Sequence, residues 1–329
     1  MTEQKTIHAG IIGAAGYTGG ELIRILLNHP FATIGFAQSR SAAGTAFSQV
    51  HPDLYGETDQ AFVAEMHPDV DVIFLCSGHG EAQRFLQEHT VPETVKIIDL
   101  SQDFRLHQHA RQGNREFVYG LPELNKEAII NATNIANPGC FATAIQLGLL
   151  PLAKAGLLSS IYTTGITGST GAGQGLSTTS HFSWRSNNIQ SYKTLSHQHL
   201  AEIKQSILAL NAANKPDLNF VPWRGDFARG IYVSSVMDCS LSIAELTAWF
   251  NDFYKNAVFT KISDRMIDMK QVVNTNKCLI HLEKVEGKLA IHSTIDNLLK
   301  GASGQAVQNM NLLFGLVETT GLQLKASAF

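Results

Sequence analysis

Short apolar runs alternate with helix-period patterns along the first third of the chain. Ile7-His8-Ala9-Gly10-Ile11-Ile12 has the pattern of a buried strand, and residues 21–27 carry the apolar spacing of a helix that ends near Asn28-His29-Pro30. Thr33 to Ala37, Asp71 to Cys76 and Val95 to Leu100 predict three further strands. Strands alternating with helices predict a parallel sheet with right-handed crossovers.

The style changes after about residue 137. A long apolar helix pattern starts at Cys140, a strand pattern covers Ile161 to Thr164, and a glycine-rich stretch follows. A helix is expected from His199 to Asn211. Longer strands are expected over Gly230 to Met237, Lys277 to Glu283 and Lys288 to Ile295, the last two joined by a turn at Glu286-Gly287. The last helical pattern, Gly304 to Thr320, is placed to return to the first domain. The fold class expected is therefore α/β: a dinucleotide-binding domain over 1–139, completed by a C-terminal helix within 302–329, and a second, α+β domain over 140–301 that carries catalysis and oligomerisation.

Composition narrows the function classes. A length of 329 residues suits two domains at roughly 150 residues each. The 28 acids and 25 bases leave a net charge of −3, so no basic excess attracts nucleic acid or anionic lipid. The charged fraction of 16% is low, which points to surface buried between subunits. The most apolar stretch, Phe141 to Leu158, is broken by Gln146, Pro151 and Lys154, so a buried helix is expected there and not a membrane span. Cys76, Cys140, Cys239 and Cys278 are widely spaced and form neither a zinc pattern nor a disulfide framework. The expectation is a cytoplasmic protein with reduced thiols and no metal.

The first strand runs into Gly13-Ala14-Ala15-Gly16-Tyr17-Thr18-Gly19 just before a helix. Small residues let the backbone approach a pyrophosphate, and the helix start presents N–H groups to it. No acid lies between Phe31 and Gly44; the second strand ends in Gln38-Ser39-Arg40-Ser41. Arginine and serine suit the 2′-phosphate that an acid would repel, so NADP is expected in preference to NAD.

Asn137-Pro138-Gly139-Cys140 places a thiol at the start of a helix, where the dipole favours the thiolate. A thiolate beside a nicotinamide suggests acyl transfer to sulfur followed by hydride transfer. His197-Gln198-His199 opens the next helix with Glu202 in reach, giving two candidate acid/base imidazoles and a carboxylate to orient one. His29, His89, His107 and His109 are read as solvated. The run 165–173, with Ser169, can cradle an anion, and Arg105 and Arg229 are candidates for bidentate contact with a carboxylate or phosphate.

These motifs, together with Asp99-Leu100-Ser101-Gln102-Asp103-Phe104-Arg105, Tyr119-Gly120-Leu121-Pro122-Glu123-Leu124 and Lys300-Gly301-Ala302-Ser303-Gly304-Gln305-Ala306, resemble the N-acetyl-gamma-glutamyl-phosphate reductase family over nearly the whole chain. The resemblance implies a Rossmann domain, a second domain like that of glyceraldehyde-phosphate dehydrogenase, and a homodimer or homotetramer. It implies reduction of an acyl phosphate by NADPH through a thioester on Cys140, with His197, in preference to His199, as acid/base. It adds Ser77, Gly78, Gly171, Asn297 and Gln305 to the expected cofactor contacts, beside Gly13, Ala15, Gly16, Tyr17, Thr18, Gly19, Ser39 and Arg40. Gln198, Phe141-Ala142 and the stretch Phe220 to Phe227 depart from the family pattern and leave the N-acyl group open: acetyl, succinyl or another acyl group. Arg185 or Arg224 is the expected reader of an additional carboxylate. Aspartate-semialdehyde dehydrogenase shares the chemistry and is the near alternative; a non-catalytic NADP sensor and a cysteine hydrolase are more distant ones.

Overall fold

The computed structural model describes residues 5–67, 69–213 and 215–328. The chain forms two compact units, Met1–Pro138 with Ala302–Gln323 and Gly139–Gly301 with Leu324–Phe329. Residues 1–4, 68, 214 and 329 of the expected domain spans lie outside the described residues.

In the first unit the chain runs through β1 (Ile7–Ile12), α1 (Tyr17–Leu27), β2 (Ala32–Gln38), α2 (Phe47–Val50), β3 (Val72–Leu75), α3 (Glu81–Glu88), β4 (Lys96–Asp99), β5 (Arg111–Gln112), β6 (Arg115–Tyr119), α4 (Pro122–Ile130) and β7 (Asn134–Ala136). The sheet order is β2-β1-β3-β4-β7-β6-β5, parallel apart from the β5/β6 pair. The strand order reverses around β1 and β3, so the loops after these two strands flank the crevice where such sheets take ligands. Every β3 residue is buried, as expected for a strand covered on both faces.

The helix α1 begins at Tyr17, four residues before its apolar pattern does. Gly19 and Gly20 weaken the local signal, yet packing requires small residues there. A Cβ on Gly19 would stand 2.4 Å from the Ala14 carbonyl oxygen, and one on Gly20 would stand 2.7 Å from the His51 ring. The late helix Ser303–Leu313 is buried along its whole length although it carries Gln305, Gln308, Asn309 and Asn311. Its amides are used structurally. Asn309 donates to the Gly120 carbonyl at 2.9 Å, and Asn311 donates to Glu318 and Thr320 carbonyls and faces His29 Nε2 at 3.0 Å. His29 is therefore a buried residue and not the solvated one its Asn-His-Pro context suggested; burial pushes its pKa down. The helix stops at Leu313 instead of running on toward 320, and residues 324–328 group with the second unit, where Ser327 donates to the Val273 carbonyl.

The second unit opens with α5 (Cys140–Ala155) and continues through β8 (Ile161–Thr167), α6 (Phe182–Arg185), β9 (Gln190–Ser191), α7 (His199–Leu210), β10 (Leu218–Arg224), β11 (Ile231–Asp238), α8 (Ile243–Phe253), β12 (Thr260–Ser263), β13 (Cys278–Val285) and β14 (Lys288–Ile295). The strand order is β12-β13-β14-β11-β8-β10-β9. The helix of residues 303–313 described above is α9. The residues from Phe141 to Ala153 of α5 are all buried against β11, β13, β14 and α7. Gly156, left-handed at φ +72°, ends α5. Glu286 and Gly287 both have positive φ and close the β13/β14 hairpin, the primed-turn geometry that matches strand twist. Strand β8 alternates buried and exposed positions, so one sheet face lies on α5 while Tyr162, 65% exposed, marks the other.

Gly19→Ala tests the α1/β1 contact. Alanine gains about 1 kcal/mol of helix propensity, but the Ala14 backbone cannot yield to its Cβ, and overpacking of this kind costs about 1–3 kcal/mol. Denaturant unfolding is expected to show a net loss; equal or greater stability would disprove the close approach.

Candidate active site

In the first unit, β1 delivers Gly13 in the left-handed region at φ +75°, where a Cβ would meet the Cys76 and Ser77 backbone at 3.1 Å. Gly16 precedes α1 with no side-chain cap, so the first N–H groups of the helix are open to an anion. His51 holds the loop from behind, its Nε2 donating to the Ala14 carbonyl at 3.0 Å. A cleft of about 340 Å³ is lined by Ile12, Gly13, Ser39, Arg40, Ser77 and Arg84 among others. Ser77 Oγ is buried there without a hydrogen-bond partner. Arg84 is paired with Glu81, whereas Arg40 is exposed at the end of β2. The glycine cradle, the open helix start, the orphaned hydroxyl and the cation fit a phosphate-bearing dinucleotide. Cys76 lies behind the loop, where burial pushes its thiol up to about 12, the behaviour of a structural cysteine.

The second site is built around residue 139. Cys140 is the first residue of α5, with Gly139 as its uncapped N-cap. The Gly139 N–H donates to Glu202 Oε2 at 3.0 Å. A Cβ on Gly139 would fall 2.3 Å from His199 Nε2, so the imidazole lies against the backbone immediately before the thiol. Glu202 Oε1 is 4.0 Å from the same nitrogen. On the other side, a Cβ on Gly301 would come within 2.8 Å of Cys140 Cβ. His197 stands edge to face with His199 at 4.5 Å between ring centroids, inside a wall of Phe141, Tyr192 and Phe220. Its Nδ1 accepts the His199 backbone N–H at 3.2 Å. Burial, aided by Lys193, pushes the His197 pKa down to about 4. The bond at Nδ1 fixes the neutral tautomer with the proton on Nε2. His197 can therefore donate from Nε2 but has no open nitrogen to accept a proton.

The remaining expected residues divide by position. Gly13, Ala15, Gly16, Tyr17, Thr18, Gly19, Ser39, Arg40, Ser77 and Gly78 all lie in the first unit around the glycine loop. Thr18 offers its carbonyl to Ser303 Oγ at 2.8 Å, and Gln305 is buried in α9 of that unit. Gly171, Asn297, Ser169 and Arg229 lie in the second unit. The Asn297 amide is occupied by the Gly230 N–H and Thr170 Oγ1. Arg229 is ion-paired with buried Asp296 at 2.9 Å, and Arg105 donates to the Asn137 and Leu100 carbonyls. Both arginines thus brace backbone and core groups. Inspection of the sequence missed His51, Gly139 as a contact, Gly301, Tyr192 and Phe220. The strand β10 that carries Phe220 was hidden because Asn219 and Pro222 interrupt its pattern.

Comparison with known proteins places the chain. Residues 8–132 match the semialdehyde dehydrogenase, NAD binding domain, and residues 140–297 the semialdehyde dehydrogenase, dimerisation domain. The fold is shared with aspartate semialdehyde dehydrogenase II of Vibrio cholerae (TM-score 0.72, 18% identity, 94% of this chain and 98% of that one). It is also shared with the NADP-bound aspartate semialdehyde dehydrogenase of Candida albicans (TM-score 0.68, 14% identity, 94% and 98%). Fold and site together define an enzyme of the semialdehyde dehydrogenase class with a nicotinamide dinucleotide domain. The N-acetyl-gamma-glutamyl-phosphate reductases of Parabacteroides distasonis and Bacteroides thetaiotaomicron are 57% and 54% identical to this chain, each over 98% of it and 100% of their own length. The chain belongs to the N-acetyl-gamma-glutamyl-phosphate reductase family.

The His197 environment carries a pH prediction. An unfolded histidine binds its proton near pH 6.5, whereas the folded ring resists protonation down to about 4. Stability from the neutral ring is fully present above about pH 6.5 and falls by about 3 kcal/mol as the pH drops toward 4. Replacing the residue in His197→Gln should flatten that slope in urea unfolding measured from pH 4 to 7. An identical slope in both proteins would contradict a buried neutral ring.

Proposed function

We propose that this enzyme catalyses the reversible, NADP-dependent reductive dephosphorylation of N-acetyl-glutamyl 5-phosphate to N-acetyl-glutamate 5-semialdehyde, a step of arginine biosynthesis. The observation that carries the reading is the clustering of Cys140, at the open start of α5, with His199, Glu202 and His197. The helix start favours negative charge on the Cys140 sulfur. The thiolate attacks the acyl carbon; a C–S bond forms, the C–O bond to phosphate breaks, and phosphate departs. When bound, the reduced dinucleotide supplies the hydride that converts the thioester carbon to the aldehyde level. The C–S bond then breaks and the electron pair returns to Cys140. His199, held by Gly139 and Glu202, moves the proton to and from the sulfur or the substrate oxygen. The neutral Nε2–H of His197 donates to the oxygen on which charge develops. In the other unit, Arg40 and Ser39 would hold the 2′-phosphate, and the open N–H groups at the start of α1 would hold the pyrophosphate. The dimerisation-domain match supports a homodimer or homotetramer.

Mixing enzyme, phosphate, NADP and N-acetylglutamate semialdehyde should generate NADPH absorbance. Cys140→Ser is expected to abolish it, by a factor above about a thousand, while dinucleotide binding measured by fluorescence is kept. Full activity in this variant rules out the covalent route. Arg40→Ala should raise KM for NADP about tenfold or more and leave that for NAD nearly unchanged, since only the 2′-phosphate contact is lost. A parallel rise for both dinucleotides would remove Arg40 from the 2′-phosphate site.

A further inference from the structure

The second unit holds an arginine whose charge is not matched by its surroundings. Arg224 closes β10, and its guanidinium carbon lies 4.9 Å from the centre of the Tyr192 ring. Tyr192 in turn packs edge to face on His197 at 5.8 Å. Burial and the charge of Cys140 push the Tyr192 hydroxyl up, and a hydrogen bond from Arg224 opposes this, so the tyrosine sits in the field of both groups. Arg224, Tyr192, His197 and Cys140 thus form one neighbourhood.

Arg224 Nε is buried and meets no acceptor. Among the described residues no carboxylate lies within ion-pair distance of this side chain. Arg185, only 7% exposed, stands beside it and donates to the Thr179 and Arg224 carbonyls. The two guanidiniums repel each other, and Asp226 is the acid that offsets them. That carboxylate is exposed and already accepts the Asn187 N–H at 2.5 Å. Two cations against one acid leave positive charge next to the nucleophile. A stacking plate for Tyr192 would need no unmet N–H, and a buried donor without an acceptor is costly unless a ligand supplies one.

We propose that Arg224, stacked on Tyr192 and backed by Arg185, binds a carboxylate of the substrate beside Cys140. The substrate class rests on the acyl-phosphate reading above; the anion subsite does not. The planar guanidinium fixes both distance and direction of a carboxylate, and so places the acyl carbon for attack. Two carboxylates are available to it: the α-carboxylate of the glutamyl unit, or the terminal carboxylate of a longer N-acyl group such as succinyl.

Two measurements decide the matter. The first is the rate of Cys140 alkylation by 3-bromopropionate relative to 3-bromopropionamide, which needs no turnover. The wild type should favour the acid beyond the ratio shown by a free thiol. Arg224→Leu and Arg224→Gln should each lower that ratio about tenfold or more, and Arg224→Lys should restore part of it. The second is steady-state kinetics in the semialdehyde-oxidising direction, where phosphate and semialdehyde have separate KM values. Arg224→Leu should raise KM for the semialdehyde about ten- to a hundredfold, with kcat and the KM for phosphate within about threefold. An equal rise for N-acetyl and N-succinyl semialdehydes assigns the α-carboxylate, and a rise confined to the succinyl compound assigns the acyl terminus. A change in KM for phosphate alone, or unchanged alkylation ratios, overturns the subsite. If the wild type turns over neither semialdehyde, the acyl-phosphate reading fails while the alkylation ratio still judges Arg224.

Discussion

The absence of a side chain at residue 139 is the constraint on which the catalytic unit depends. A methyl group at Gly139 would occupy the position of the His199 ring, 2.3 Å from Nε2. The same residue gives its N–H to Glu202 and serves as the N-cap of α5. One backbone position therefore fixes the start of the helix that bears Cys140, the depth of the imidazole and the direction of the carboxylate. Helix α7 reaches this point because its first turn carries both His199 and Glu202, three residues apart and hence on one face. Gly301 closes the opposite side by the same means, bringing backbone where any side chain would meet Cys140.

The two histidines illustrate how backbone contacts divide labour between like residues. Both are nearly buried, at 4% and 6% exposure, and neither differs from the other in sequence context. The His199 N–H bonded to His197 Nδ1 holds one ring neutral with its remaining proton directed from Nε2. The other ring is set against Gly139 and Glu202. A single hydrogen bond from the main chain is enough to set two otherwise like imidazoles apart.

The first unit uses burial differently. Its glycine loop and the start of α1 are held by His51 on the Ala14 carbonyl and Ser303 on the Thr18 carbonyl, while the amides of α9 hold the Gly120, Glu318 and Thr320 carbonyls elsewhere in the unit. A polar helix inside a domain is stable because its side chains satisfy turns and strand ends that have no other partner. The arginines follow the same logic. Arg105 donates to the Asn137 carbonyl and Arg229 pairs with Asp296, whereas Arg224 Nε is buried without an acceptor.

Local sequence was sufficient for the elements whose signals are local. The alternation of β1 to β4, the glycine turn after β1, the thiol at the head of α5 and the turn at Glu286-Gly287 are each set by a few adjacent residues, and the structure has them within one to four positions. The capping pair Ser242 and Glu245 also announced α8, a signal that went unread. Contacts between distant segments decided the rest. The burial of His29 depends on Asn311, 282 residues away, the ion pair of Arg229 on Asp296, 67 residues away, and the Gly139 contact on Glu202, 63 residues away. Residue type states what a side chain is able to do; only the partner brought up by the fold determines whether it is free to do it.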